Sequence, residues 1–173
     1  VGTGSPRRIA ELAKNFKVDF DIQPIRGNID TRIAKLDSGN YDAIILAVAG
    51  LEALGLENRI TKILPLDKML PCVGQGTIAI QCRKDSNYST MMKSVNHLPT
   101  YYSVMAEREM LITLGGDCHT AVGGLAKIKK DKISLKVQLF SDDGNEVYNF
   151  ADEGEKKEPK ILGKFVGRKI LEL

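Results

Sequence analysis

Ala43-Ile44-Ile45-Leu46-Ala47-Val48, entered from Tyr41-Asp42 and left through Ala49-Gly50-Leu51, is the stretch on which the fold turns. It is an unbroken apolar run of strand length, with no polar residue to mark a wet face. Such runs belong to parallel strands covered on both faces, so a central strand is expected here. Immediately upstream, Ile29, Ile33 and Leu36 recur at helical spacing. Asn28 or Asp30 caps that helix, and Gly39-Asn40 ends it. Farther back, Phe20, Ile22 and Pro24 alternate with other residues and read as a strand. Ser5-Pro6 is a helix start, with Ser as N-cap and Pro at the first helical position. Ile9, Leu12, Ala13 and Phe16 then form its apolar face, and Val1 to Thr3 is the tail of a preceding strand. Residues 1–71 thus read βαβαβ, which predicts a parallel sheet with right-handed crossovers.

Downstream the pattern changes. Pro71-Cys72-Val73-Gly74-Gln75-Gly76 is a loop or hinge rich in small residues, and Thr77 to Cys82 reads as a strand without a nearby partner. Residues 72–95 are therefore expected to cross over and pair elsewhere. Residues 96–173 read as a second module. A helix through Tyr102, Met105, Ala106, Glu109 and Ile112–Leu114 ends at Gly115-Gly116. Strands follow at Ala121–Ile128 and Ile133–Phe140, then a turn at Asp142-Asp143-Gly144-Asn145 and a return strand at Glu146–Phe150. Glu153–Lys160 reads as a charged linker, and Ile161, Phe165, Ile170 and Leu171 give a last helix. The expected module is α+β with a three-stranded antiparallel sheet.

Composition narrows the function classes. The chain has 173 residues, 43% hydrophobic and 27% charged, which suits globular domains and excludes disorder. A net charge of +3 and 6% aromatic content give no case for nucleic acid. The nine-residue apolar run Ala43–Leu51 is too short to span a bilayer, which needs roughly 20 residues. No secretory leader pattern opens the chain. Cys72, Cys82 and Cys118 are odd in number and lack C-x-x-C spacing, which argues against a disulfide scaffold or a Cys zinc site. Only two histidines are present, so no metal site is expected, and a reducing, cytoplasmic setting fits. The first residue is not Met, so a longer parent protein is expected.

The arginines carry the chemistry. The chain has eight, and Arg7, Arg8, Arg26 and Arg32 fall within its first 32 residues. Arg7 and Arg8 open the first helix, Arg26 ends the second strand, and Arg32 lies one turn into the second helix. Both junctions lie at carboxyl ends of parallel strands, where ligands bind, and both helix N-termini favour anions. Guanidinium groups grip carboxylates bidentately. A site for a ligand with several acidic groups is expected, with the four arginines converging on one cleft. A non-catalytic anion-binding receptor module would show the same features. Cys118 lies in a Gly-flanked loop beside His119, whose imidazole could lower a thiol pKa. Gly2-Thr3-Gly4 lacks the Lys-Ser/Thr of a phosphate loop.

Four motifs in order resemble porphobilinogen deaminases (hydroxymethylbilane synthases). They are Gly2-Thr3-Gly4-Ser5-Pro6-Arg7-Arg8, Arg26-Gly27-Asn28-Ile29-Asp30-Thr31-Arg32, Asp42–Leu51 and Val73-Gly74-Gln75-Gly76. Ala106-Glu107-Arg108 and the stretch Gly115–Gly123 around Cys118 are similar to the family's cofactor loop. The resemblance implies a transferase of haem and tetrapyrrole biosynthesis, joining four porphobilinogen units into hydroxymethylbilane with release of ammonia. It implies a dipyrromethane cofactor held through Cys118, with Thr3, Ser5, Arg7, Arg8, Arg26, Arg32 and Gln75 binding its acidic side chains and those of the growing polypyrrole. The first module would be a lobe like those of periplasmic binding proteins.

The family usually has a basic residue after the Ala-Gly-Leu stretch, where Glu52-Ala53 stands here, and Gly directly before the cysteine, where Asp117 stands. Its catalytic aspartate lies on an N-terminal domain that nothing in this chain matches. The resemblance therefore implies that this chain holds the second and third domains, that residues 72–95 complete the first, and that no catalytic residue lies here. By itself the chain is expected to lack deaminase activity, to carry Cys118 as a free thiol, and to self-associate through residues 72–95, whereas the full enzyme is expected to be a monomer without nucleic-acid or membrane partners.

Overall fold

In a computed structural model, residues 1–117 and 119–173 are described. Near the N-terminus, Val1–Thr3 lies between two other segments. Gly2 forms isolated parallel bridges to Gln23 on one side and Ile44 on the other. Gly2 N–H donates to Ala43 O at 2.8 Å, and Thr3 N–H to Gln23 O at 3.1 Å. The expected parallel direction is therefore present, but as single bridges and not as a continuous ladder. The middle position belongs to Val1–Thr3, not to Ala43–Val48. The apolar run also ends early as an extended segment, because Val48 already starts a helix.

Helix α1 (Pro6–Asn15) begins as its sequence dictates. The Ser5 side chain accepts the Arg8 N–H, and Pro6 occupies the first position. The buried face differs from expectation. Ala10 and Leu12 are buried, but so are Arg7 and Glu11, whereas Ile9 and Ala13 are exposed. The ion pair described below draws the helix inward along its polar side. Helix α2 (Ile29–Asp37) is capped by Asn28, whose side chain accepts the Thr31 N–H at 2.9 Å. Helix α3 (Val48–Glu52) and a 3-10 turn at Glu57–Arg59 follow.

Residues 77–82 do not form a strand, and Ile78 and Ile80 are 89% and 62% exposed. The polar stretch beyond contains a short helix, α4 (Ser89–Ser94), that hydropathy does not reveal.

The second module is a sheet covered by two helices. Helix α5 (Leu98–Thr113) starts earlier than its apolar pattern, because Pro99 is tolerated in its first turn. Strands β1 (Val122–Lys129), β2 (Lys132–Phe140) and β3 (Val147–Glu155) pair antiparallel in the order β1-β2-β3. Ile133, Leu135 and Val137 alternate inward from β2 and are fully buried against Met110, Val166 and Leu162. The Asp142–Asn145 turn forms as expected, with Gly144 at φ +72°. Glu153–Lys160 is not a linker. Its first residues extend β3, and Pro159 and Lys160 open helix α6 (Pro159–Leu171). The buried face of α6 is Leu162, Gly163, Val166, Gly167 and Ile170, while Ile161 and Leu171 are exposed. Two glycines on that face let α6 approach α5 closely, so the face rotates away from its bulkiest residues. No described helix is long and apolar enough to cross a membrane.

Candidate functional site

The N-terminal end of α2 and the segment before α3 enclose a cleft of about 530 Å³. Arg8 and Arg32 both line it, with Gly27, Asn28, Ile29 and Asp30 on one wall and Leu46, Ala47 and Leu54 on the other. Arg8 is fixed by donating from Nη1 to the Ile45 carbonyl at 2.7 Å. Arg32 donates from Nε to the Gly27 carbonyl at 2.7 Å. Each guanidinium is thus oriented by one backbone acceptor and keeps further donors for a ligand. Gly27 has φ +122°, and a Cβ there would lie 2.7 Å from Thr31 Cγ2, so the tight entry to α2 requires glycine. Burial and the neighbouring Arg7 and Arg32 charges hold the Arg8 guanidinium below its ordinary pKa. Crowding of two cations favours an anion between them. Asp30 brings one negative charge to the same wall.

The other expected site residues are placed differently. Arg7 does not face this cleft with a free guanidinium. It is buried, and its Nη1 donates to Glu11 Oε2 at 2.5 Å and to the Leu70 carbonyl. The four arginines therefore do not all converge. Arg26 is exposed and does not line the cleft. Thr3 is buried and its Oγ1 accepts the Ser5 N–H at 3.3 Å, while Ser5 serves as the cap of α1. Gln75 Oε1 accepts from the Cys72 thiol at 3.1 Å. None of the residues of the Cys72–Gln75 turn is among those that line the cleft. Cys118 lies outside the described residues. Cys72 and Cys82 are free and exposed, which corrects an apolar-strand setting for Cys82.

Two residues of consequence carry no expected role. Glu11 stands four residues after Arg7, the spacing of a helical ion pair, and that signal was available. Glu107 is buried on α5, and its carboxylate accepts backbone N–H groups of Gly74 and Ala126. The motif Ala106-Glu107-Arg108 marks the position, but nothing in its sequence neighbourhood announces these partners. Among the described residues no cluster of His, Cys, Asp and Glu could hold a metal ion.

The chain is similar to known proteins over nearly its whole length. Residues 1–91 match the family described as porphobilinogen deaminase, dipyromethane cofactor binding domain. Residues 101–172 match porphobilinogen deaminase, C-terminal domain. Porphobilinogen deaminase of Coxiella burnetii (strain CbuG_Q212) is 43% identical over 173 residues, covering 99% of this chain and 56% of the relative. That of Desulforudis audaxviator (strain MP104C) is 38% identical over 174 residues, again covering 56% of the relative. The chain spans little more than half the length of the curated relatives it matches. A cofactor-binding domain over its arginine-lined half and a C-terminal domain over its antiparallel half place the chain in the porphobilinogen deaminase family.

Proposed function

We propose that this chain supplies the carboxylate-binding and cofactor-carrying parts of a porphobilinogen deaminase, a transferase that condenses four porphobilinogen units into hydroxymethylbilane and releases ammonia. The observation that carries this reading is the Arg8–Arg32 cleft at the start of α2. The donor set suits a dipyrromethane, whose acetate and propionate groups need charge-assisted donors. Arg8 and Arg32 hold carboxylates at the cleft, and Cys118 is the attachment point. When bound, the cofactor supplies the pyrrole terminus on which the chain grows. Arg26, exposed beside Gly27 of the cleft wall, and Gln75, in the turn after the first module, engage acidic groups farther along the polypyrrole.

Residues 1–71 act as a lobe of the periplasmic-binding type, and residues 96–173 as the module that presents Cys118. Residues 72–95 link the two and pair with a sheet outside these residues. The exposed Ile78 and Ile80 support that placement. The carboxylate that assists ammonia loss is supplied from outside this chain, since a developing cationic nitrogen needs a counter-ion. Binding without it leaves the barrier largely unaltered. The reaction belongs to the cytoplasm.

Titrating porphobilinogen into the purified chain while following ammonia tests this. The expected result is saturable binding without ammonia release at an enzymatic rate. Absence of binding would overturn the cleft assignment. Turnover by the chain alone would overturn the assignment of the catalytic carboxylate.

A further inference from the structure

Glu107 is a buried carboxylate held by backbone amides alone. It is 5% exposed, and none of the ion pairs among the described residues includes it. Its Oε2 accepts the Gly74 N–H at 2.7 Å, and its Oε1 accepts the Ala126 N–H at 2.8 Å. A lone buried carboxylate is costly, and two charge-assisted hydrogen bonds offset that cost only in part. For packing α5 an apolar side chain would serve better. What the carboxylate does, and an apolar residue cannot, is join two backbone segments that are far apart in the chain.

Those segments are the turn after the first module and the edge strand of the second. Gly74 has φ +71° and opens the turn in which Thr77 N–H returns to Gly74 O at 3.1 Å. The same segment touches β1 at two further points. Gly124 N–H donates to Pro71 O at 2.9 Å. Gly123 leaves room for Leu70, whose Cβ would lie 3.0 Å from any Cβ added there. Among the described residues the helices of the first 71 make no extensive packing with α5, α6 or the sheet. Residues 70–74 thus supply a principal connection between the modules, beside the approach of Ala10 on α1 to the turn at Gly144.

We infer that Glu107 is a positioning residue, fixing the Gly74-Gln75-Gly76 turn to the C-terminal module through paired hydrogen bonds to Gly74 and Ala126. The turn carries Gln75, whose Oε1 accepts from the Cys72 thiol. Glu107 therefore fixes the backbone that presents Gln75 without touching that side chain. That Gln75 serves a ligand site rests on the function proposed above; the coupling itself does not.

Backbone amide exchange, read by NMR on the purified chain, decides the assignment whatever the chain binds. In the unaltered protein the Gly74 amide is expected to be protected at least about tenfold more than the Gly76 amide in the same turn. Glu107→Gln keeps shape and volume but presents an NH2 group to one of the two N–H donors. It is expected to speed exchange at Gly74 and Ala126 about tenfold or more, and to shift both amide protons, while Ile133, Leu135 and Val137 keep their rates. Equal exchange of Gly74 and Gly76 in the unaltered chain would overturn the inference. So would unchanged rates in the variant, or acceleration that includes the β2 core.

Discussion

Arg7 and Glu11, one helical turn apart on α1, form an ion pair that is sealed from solvent, with side chains 5% and 0% exposed. The guanidinium also reaches the Leu70 carbonyl, so the pair fastens α1 to the end of the first module. Arg7 Nε and Glu11 Oε1 remain buried without hydrogen-bond partners. Burial outweighs the Arg7 and Arg8 charges and pushes the Glu11 carboxyl up to about 7. In a motif where two adjacent arginines look equivalent, one is internal and the other faces the cleft.

Breaking this pair on one side should be costly. Arg7→Met strands a buried carboxylate and is expected to destabilise the chain by about 3–5 kcal/mol. Adding Glu11→Leu should recover most of the loss, because well-packed apolar replacements of buried pairs are often neutral or better. Urea denaturation of both single variants and the double variant checks this. Additive losses would show that the two residues are not coupled.

The pH dependence follows from the raised Glu11 carboxyl. Between its ordinary value of 4.5 and about 7, the folded chain binds a proton that the unfolded chain does not. Stability conferred by this group is therefore fully present at low pH and declines as pH rises through that window, with no further change above it. The size is on the order of 3 kcal/mol. Denaturation midpoints at pH 5 and pH 8 should differ in this direction for the unaltered chain and differ less for Glu11→Gln, the remainder belonging to Glu107, whose carboxyl burial also raises. An unaltered slope in the variant would assign the dependence to other groups.

Much of this architecture is legible in the sequence where local rules act alone. Ser5-Pro6, Asn28 and Gly144 fix a helix start, a cap and a turn through chemistry within a few residues, and each forms as expected. The alternation of Ile133, Leu135 and Val137 likewise reads directly as a half-buried strand. Legibility fails where a distant partner decides. Residues 77–82 have strand composition but, among the described residues, no neighbour to complete a ladder. Ile9 and Ile161 look like core residues, yet an ion pair on α1 and two glycines on α6 turn other faces inward. At the site, Arg8 and Arg32 were readable as basic residues at two strand–helix junctions, and both line one cleft. Glu107 stood in a recognisable motif, but its contacts were not readable, because its partners are backbone amides 33 and 19 residues away.

The cleft arginines should be separable from the rest. Arg8→Ala and Arg32→Ala are each expected to weaken porphobilinogen binding by roughly tenfold or more, the scale of a lost charge-assisted contact. Arg26→Ala, outside the cleft lining, should cost less. Calorimetric titration at two ionic strengths measures this, since exposed charge contacts weaken with salt. Equal losses at all three positions would mean that the cleft does not discriminate among them.

The contact between α5 and α6 depends on missing side chains. A Cβ at Gly163 would stand 2.3 Å from the Ala106 carbonyl oxygen and 2.9 Å from Glu109 Cβ. One at Gly167 would stand 2.7 Å from Thr113 Cβ and 3.0 Å from the Met110 carbonyl oxygen. Both obstacles include backbone, which cannot rotate aside, so α6 itself has to move away from α5. That movement would open the layer holding Met110, Val166 and Ile170, all buried. Alanine has the better helix propensity by about 1 kcal/mol, and the clash must exceed that gain. Overpacking of this kind costs about 1–3 kcal/mol or more, and the backbone contact puts Gly163→Ala at the upper end. Gly154→Ala on β3 is the control, because its Cβ would meet Leu162 Cβ at an ordinary 3.6 Å. It should be neutral or mildly stabilising, since glycine weakens a strand interior. Thermal unfolding of the three variants should rank Gly163→Ala least stable, Gly167→Ala next and Gly154→Ala close to the unaltered chain. If Gly163→Ala unfolds with the unaltered chain, the helices do not cross as closely as these distances require.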